Sequence, residues 1–183
     1  MKEINWKHEI LDFLKTLGIC FLIIFVLTRF FIRPVNVNQN SMYPTILDKS
    51  FGVSNVFSVK ALHDVNRFDI VVINLEDGKN LIKRVVGLPN ETISFKNDTL
   101  YIDGQPVEEN FFNEEYRKEE IQKYGYFTEN MEPITLGPDE VFCVGDNRPY
   151  SRDSRDYGPF KESQIMSKGL FVITPLDRFG GVK

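Results

Sequence analysis

The chain has few of the residues that metal sites and disulfide frameworks need. Its 183 residues include two histidines and two cysteines. A zinc site needs three or four clustered ligands, so we expect no metal or other cofactor. Cys20 lies in an apolar run near the N terminus and Cys143 lies far downstream, so we expect no disulfide between them.

Positive charge is not in excess either. Lysine and arginine together number 22 against 26 acidic residues, and the basic residues are scattered. Such a chain has no electrostatic footprint for nucleic acid, so we expect no nucleic-acid partner. Repeats and low-complexity tracts are also missing. The length fits one globular domain with an appendage.

An uncharged run near the N terminus is the candidate appendage. Residues 16–28 read TLGICFLIIFVLT. Thirteen helical residues span about 20 Å against a hydrocarbon core of about 30 Å, so Lys15 and Arg29 would have to reach the two interfaces. A cleavable signal sequence or a buried core helix are the alternatives. The run is not followed by a small-x-small cleavage motif, which favours an uncleaved anchor.

The chain therefore divides into three predicted parts: a short cytoplasmic segment 1–15, a single transmembrane anchor 16–32 and an extracytoplasmic domain 33–183. Lysines 2, 7 and 15 precede the anchor, whereas Arg29 and Arg33 follow its uncharged core. The positive-inside rule leans only weakly towards a cytoplasmic N terminus in the cell membrane.

Past Pro34 the pattern is that of a mainly β domain. Short β-branched or aromatic runs alternate with turn residues, and plausible hairpin turns lie at Asp77-Gly78, Asn97-Asp98 and Asp103-Gly104. Residues 105–138 are polar and charged with little periodicity. We interpret that segment as an insertion or extended hairpin with a solvated surface.

Three islands carry residues suited to chemistry: Asn40 to Thr45, Leu81 to Gly87, and Gly145 to Gly158. In the first, Ser41 precedes a Met-Tyr-Pro turn. Taken alone, this serine would be interpreted as an ordinary turn hydroxyl. The other two islands make a catalytic role worth considering.

The second island places Lys83 in a predicted strand. Side chains alternate between the faces of a strand, so Leu81, Lys83 and Val85 share one face. On an edge strand the ammonium would be solvated and would oppose aggregation. Among apolar side chains it would instead be desolvated, and its pKa would fall from about 10.4 towards 7 or 8, where it can act as a base.

A serine nucleophile needs an adjacent base. Histidine is nearly excluded, because His8 precedes the anchor and His63 lies in a polar stretch without strand character. A dyad of Ser41 and Lys83 is the remaining economical arrangement.

The third island is rich in turn formers and opposite charges. Arg155 could pair with either Asp153 or Asp146 and fix the shape of this loop. We expect most of these residues to be structural. Ser151 is the exception, because its hydroxyl could orient a neutral lysine.

Together the islands resemble the conserved boxes of bacterial type I signal peptidases, in order and spacing: SMYPT from Ser41, KRVVG from Lys83, and GDNRxxSxDSR from Gly145. The similarity spans nearly the whole chain. Its short length and single anchor are similar to those of the Gram-positive form.

The resemblance implies a β-rich catalytic domain on the extracytoplasmic membrane surface. Ser41 would attack the scissile carbonyl, neutral Lys83 would take its proton, and Ser151 would orient Lys83. The supporting residues would be Arg84 and the pair Asp153 and Arg155. Its partners would be signal peptides of exported preproteins and the lipid bilayer, with the secretion translocon nearby.

The substrate is expected to bind as an extended strand, with small residues at positions 1 and 3 before the cut. The candidates for the pocket walls are Val37, Met42 and Ile82, although each could instead pack in the hydrophobic core without contacting substrate. In some relatives a serine two residues before the nucleophile donates to the oxyanion, and here that position is Gln39. The Ser41 N–H is the expected backbone donor.

Three other functions are less consistent with the sequence. A self-cleaving repressor with a Ser-Lys dyad would carry a DNA-binding segment in place of the anchor. A penicillin-binding or β-lactamase-like enzyme would need lysine three residues after the serine, where this chain has Pro44. A silent homologue acting as a membrane scaffold would be expected to have lost Ser41, Lys83 or Ser151.

Overall fold

A computed structural model describes residues 6–182. The first described element is a long helix, α1 (Trp6–Val26), which continues through a wider π-helical turn, Leu27–Phe31. Together they form a 26-residue helix that is largely apolar and has no buried residue. At about 1.5 Å per residue it is long enough to cross a bilayer.

The helix is longer than the apolar run predicts, because Trp6 to Lys15, which the sequence places in a separate segment 1–15, are already helical. Polar side chains are accommodated on one exposed face: Asp12 accepts hydrogen bonds from His8 at 3.0 Å and Lys15 at 3.3 Å. Its other end falls at Phe31, before Ile32 begins the first strand.

The rest of the described chain is mainly β, as predicted. The strands are β1 (Ile32–Asn36), β2 (Phe51–Asn55), β3 (Ile70–Asn74), β4 (Asn80–Gly87), β5 (Thr92–Lys96), β6 (Thr99–Ile102), β7 (Gln105–Val107), β8 (Met131–Thr135), β9 (Glu140–Val144), β10 (Phe160–Lys161), β11 (Ile165–Thr174) and β12 (Gly180–Val182). Three further α-helices are α2 (Phe57–Lys60), α3 (Glu114–Tyr124) and α4 (Ser154–Tyr157), and two single 3-10 turns lie at Glu162–Gln164 and Leu176–Arg178.

Two sheets are formed. The larger has the order β1-β2-β11-β3-β4-β9-β10, with β12 also paired to β11, and the smaller has the order β7-β6-β5-β8. All the pairs are antiparallel. Pro34 lies in β1, at the edge of the larger sheet. Proline has no N–H to donate to a neighbouring strand, and an edge strand tolerates this loss.

The three predicted hairpin turns are confirmed. Asn97 and Asp98 both have positive φ between β5 and β6, and Asp103 and Gly104 do so between β6 and β7, as the tight primed turns require. Gly78, with φ of 81°, completes the turn between β3 and β4.

The segment 105–138 contains a helix that the sequence analysis did not predict, so an extended hairpin does not describe it. Asn113 caps α3 by accepting from the Tyr116 N–H at 2.9 Å, and Gly125 ends it with φ of 80°. Helix α3 is polar almost all round, which is why its apolar periodicity was too weak to reveal it.

Three apolar clusters hold the domain together. The first lies on one face of β3, β4 and β9 and includes Val71, Leu81, Val85 and Cys143. The second joins the segment around Met42 to the opposite face of β3 and to β11. The third packs the smaller sheet against the end of β4 and against β9.

Candidate active site

Ser41 lies in a tight turn that begins four residues after the edge strand β1. The turn is closed by the Tyr43 N–H, which donates to Asn40 O at 3.1 Å, and by the Ile46 N–H, which donates to Met42 O at 2.9 Å. Met42 and Ile46 are buried in the second apolar cluster, whereas Ser41 is only half-buried. Apolar anchors on the C-terminal side of the serine thus hold it at the surface.

Lys83 lies in the middle of β4, opposite Val71 of β3. The predicted face is confirmed, because its neighbours Leu81 and Val85 both belong to the first apolar cluster. Only 1% of the residue is exposed. The ammonium makes no hydrogen bond or ion pair with the described part of the chain. It is therefore a desolvated lysine and not a solvated edge cation.

Burial lowers the pKa of Lys83 to about 8, because the charged form is penalised when it is removed from water. The nearby Asp153 carboxylate acts in the opposite direction, and the Arg155 guanidinium adds to the lowering. A lysine with this pKa is partly neutral near physiological pH. It has a lone pair available to accept a proton.

The third island packs directly onto the serine turn through Gly145. A Cβ placed on Gly145 would clash with both Ser41 O and Ser151 Oγ, so no larger residue fits without a shift of the backbone. The buried Ser151 Oγ makes no hydrogen bond within residues 6–182. The structure thus brings Ser151 and the Ser41 backbone together against the side of Gly145 where a side chain would lie.

The choice between two partners for Arg155 is settled in favour of Asp153. Arg155 Nε and Nη2 donate to the two Asp153 oxygens, each at 2.9 Å, and Asp153 also accepts from the Gly145 N–H at 2.9 Å. Burial alone would raise the pKa of the Asp153 carboxyl, but the hydrogen bonds and charge of Arg155 hold it below its ordinary value. Asp153 therefore stays ionised and fixes the glycine.

Asp146 has a different partner, Arg84, the residue after the lysine. Arg84 Nε and Nη2 donate to the two Asp146 oxygens at 2.8 and 2.7 Å, and its Nη1 donates to Phe68 O at 2.9 Å. Both side chains are essentially fully buried. This forked ion pair ties the strand that carries Lys83 to the loop that carries Ser151.

A groove of about 450 Å³ runs beside Ser41. One wall is formed by residues 33–39 and the other by Val72, Lys79, Asn80 and Ile82. All three predicted pocket residues, Val37, Met42 and Ile82, line it, and so does Gln39. Their part in substrate selection remains a prediction.

Two features of the site escaped the sequence analysis. The sequence identifies Gly145 only as a turn former, although its lack of a side chain is what allows the close packing. Asn147 and Tyr116 were not singled out, although Asn147 donates to both Asn40 O and Ser41 O. Hydrogen bonds between distant segments leave no periodic signal in a sequence. No cluster of three potential metal-binding side chains occurs among residues 6–182.

The fold and the site together define a class: the protein is a serine peptidase. The profile of one family, described as "Signal peptidase, peptidase S26", matches residues 10–174. The chain therefore belongs to the signal peptidase family.

Individual relatives agree with this. Signal peptidase I P of Bacillus subtilis subsp. natto is 37% identical, with 100% of this chain and 98% of the relative aligned. Signal peptidase I S of Bacillus subtilis strain 168 is 32% identical, with 96% and 95% aligned. A crystal structure of a signal peptidase I from Enterococcus faecalis V583 matches with a TM-score of 0.52 at 30% identity, over 57% of this chain and 96% of that one.

Proposed function

We propose that this signal peptidase removes signal peptides from exported preproteins with Ser41 as nucleophile and neutral Lys83 as general base. The observation that carries the proposal is the burial of Lys83 in an apolar cluster with a pKa of about 8. It supplies the base that a serine hydroxyl needs where no histidine is available.

The reaction would proceed in two halves. Ser41 Oγ attacks the scissile carbonyl carbon as its proton passes to Lys83 Nζ, which forms a tetrahedral oxyanion. When that intermediate collapses, the C–N bond breaks, Lys83 returns the proton to the leaving amine, and the signal peptide remains as an ester on Ser41. Water then attacks the ester by the same route and restores the serine. Ser151 would orient the lysine throughout.

The groove fits a substrate bound as an extended strand. Strand β9 pairs with β4 only from Arg84 onward, so the Asn80–Lys83 part of β4 has an open edge beside the groove. Among residues 6–182, strand β1 pairs with β2 on one side alone. A peptide lying between these two edges could bond to both backbones. Val37, Met42 and Ile82 would then face small residues at positions 1 and 3 before the cut.

The apolar helix Trp6–Phe31 would anchor the enzyme in the cell membrane, with residues 33–183 as an extracytoplasmic catalytic domain and the N terminus in the cytoplasm. Two pairs of exposed aromatic residues support a lipid partner. The rings of Phe31 and Phe57 stack with their centroids 5.4 Å apart, and those of Phe171 and Phe179 pack edge to face with centroids 5.1 Å apart. Aromatic side chains are suited to the membrane interface. The secretion translocon, which delivers preproteins, would be nearby.

The test is cleavage of a preprotein with an Ala-x-Ala site in lipid vesicles by wild type, Ser41→Ala and Lys83→Met. Methionine keeps an apolar stem and removes the amine. Lys161→Met is the control, because Lys161 is exposed and pairs only with surface acids. We expect wild type and control to cut after the second alanine and both active-site variants to lose at least about a thousandfold in rate.

Activity in Lys83→Met would place the base elsewhere. An inert wild type would favour a role as a membrane scaffold, since a catalytically silent homologue could keep the fold and the anchor.

A further inference from the structure

The peptide group between Asn40 and Ser41 is held from its carbonyl side by a residue outside the proposed catalytic pair. Asn147 Nδ2 donates to Asn40 O at 2.8 Å, and the Asn147 N–H donates to Ser41 O at 3.1 Å. Asn147 is buried, with 4% of its surface exposed. Because a peptide group is planar, fixing its carbonyl also fixes the direction of the N–H on its other edge. That N–H belongs to Ser41.

Asn147 is in turn held by a tyrosine of helix α3. Tyr116 Oη donates to Asn147 Oδ1 at 2.7 Å. Burial raises the pKa of Tyr116, so the phenol stays protonated as the donor. The Tyr116 ring also packs edge to face on Tyr43, two residues after the serine, at 5.0 Å. Helix α3 thus contacts the serine turn directly through the ring of Tyr116 and indirectly through its hydroxyl and Asn147.

The Ser41 N–H donates no hydrogen bond within the described residues 6–182. It is therefore a donor available to a bound substrate. The side chain two residues before it is Gln39, which is exposed. A backbone donor without a dedicated side-chain partner has more of the oxyanion charge to stabilise, and its direction matters correspondingly more.

We propose that Tyr116 and Asn147 are positioning residues for the oxyanion donor of this peptidase. The Tyr116 hydroxyl orients the Asn147 amide, the amide orients the Asn40–Ser41 peptide group, and the Ser41 N–H points at the oxygen on which negative charge develops. Hydrogen bonds arranged in a chain polarise one another, so the bond at Asn40 O also makes the Ser41 N–H a stronger donor. The inference rests on the proposed role of Ser41 as nucleophile.

The test compares Tyr116→Phe with Tyr124→Phe in the full-length enzyme in lipid micelles. The two substitutions remove the same hydroxyl from the same helix, but Tyr124 Oη bonds only to Tyr150 Oη, at 2.8 Å, on the exposed side. We expect Tyr116→Phe to lower kcat about tenfold with KM within about twofold, which is less than the hundredfold or more typical of losing an oxyanion donor outright. Tyr124→Phe should match wild type.

A second readout separates positioning from general support of the fold. A peptide aldehyde forms a hemiacetal with the Ser41 hydroxyl, and its oxygen takes the oxyanion position, whereas the matching peptide amide binds without reaction. Tyr116→Phe should lower the affinity for the aldehyde about tenfold and leave the affinity for the amide unchanged. The double variant Tyr116→Phe, Asn147→Ala should be no slower than Asn147→Ala alone, because both act on one chain of bonds.

The inference would be overturned if Tyr116→Phe lowered the affinities for aldehyde and amide equally. It would also be overturned if Tyr116→Phe had the same kcat as Tyr124→Phe. Neither comparison needs Asn147→Ala to fold. The proposed function fails separately: it is refuted if Ser41→Ala still cleaves, whereas an inert Ser41→Ala together with an unaffected Tyr116→Phe refutes only the positioning role.

Discussion

Replacing Lys83 by methionine should inactivate the enzyme and at the same time make it more stable. In wild type the buried side chain has its pKa lowered from 10.5 to about 8. This shift measures how poorly the folded protein accommodates the ammonium compared with water. Methionine has a similar stem, no charge and no requirement for hydration, and it suits the apolar surroundings of Leu81 and Val85.

The size of this stability gain and its pH dependence follow from the pKa shift of Lys83. One pKa unit corresponds to about 1.4 kcal/mol, so below pH 8 the charged lysine lowers the free energy of unfolding by roughly 3 kcal/mol. Between pH 8 and 10.5 the unfolded chain binds more protons at this site than the folded one, so the stability of wild type rises with pH and the penalty is gone above 10.5. The free energy of unfolding of Lys83→Met should not rise in this way with pH, because methionine does not titrate.

The assay is thermal unfolding of the full chain in detergent micelles, followed by the near-ultraviolet circular dichroism of its tyrosines. At pH 7 we expect Lys83→Met to melt roughly 6 to 12 °C above wild type, and the gap to narrow as pH rises towards 10. Lys161→Met is the control, because its exposed ammonium pairs with surface acids and has no such penalty. A variant that melts below wild type at pH 7, or a gap that does not change with pH, would show that the ammonium is not desolvated and would refute the reasoning.

Three further predictions concern the same site. The kcat/KM of wild type should rise about tenfold per pH unit below pH 8 and level off above it, because Lys83 must be neutral to accept a proton, and a pH profile with no inflection near 8 would contradict this. Gly145→Ala should reduce cleavage at least tenfold and destabilise the domain by about 1 to 3 kcal/mol through overpacking, measured against Gly181→Ala, where an added Cβ meets no atom within 4 Å. Arg84→Met should lower the free energy of unfolding by about 3 to 5 kcal/mol in denaturant titrations, because it leaves Asp146 buried without its ion pair, and an unchanged midpoint would rule out that role.

Much of the fold was predictable because it depends on local signals. Alternating β-branched runs and Asp-Gly or Asn-Asp turns predicted the strands and hairpins around β5, β6 and β7. The face of β4 that carries Lys83 followed from the two-residue repeat. Helix α3 was missed because its polar sequence shows no apolar stripe, and its stability depends on the Asn113 cap and on tertiary contacts.

The components of the site were predictable as residue types, but its connections were not. The pairing of Asp146 with Arg84 joins residues 62 positions apart, so the sequence left Arg155 with two possible partners. The need for glycine at position 145 arises from contacts with two other segments and appears only once the chain is folded. The helical state of residues 6–15 was also hidden, since hydropathy marks the apolar centre of a helix and not its polar turns.

The open edge of β4 has a consequence for the choice of substrate. With β1 and β4 on either side, the groove offers hydrogen bonds to a backbone only if that backbone has left its own helix. About five residues must be unwound to lie along it, a length of roughly 17 Å in extended form. Under the proposed function, a membrane-embedded signal helix is therefore protected along its length and becomes cleavable only where it stops being helical. The secondary structure of the preprotein, as much as its side chains, would then decide where it is cut.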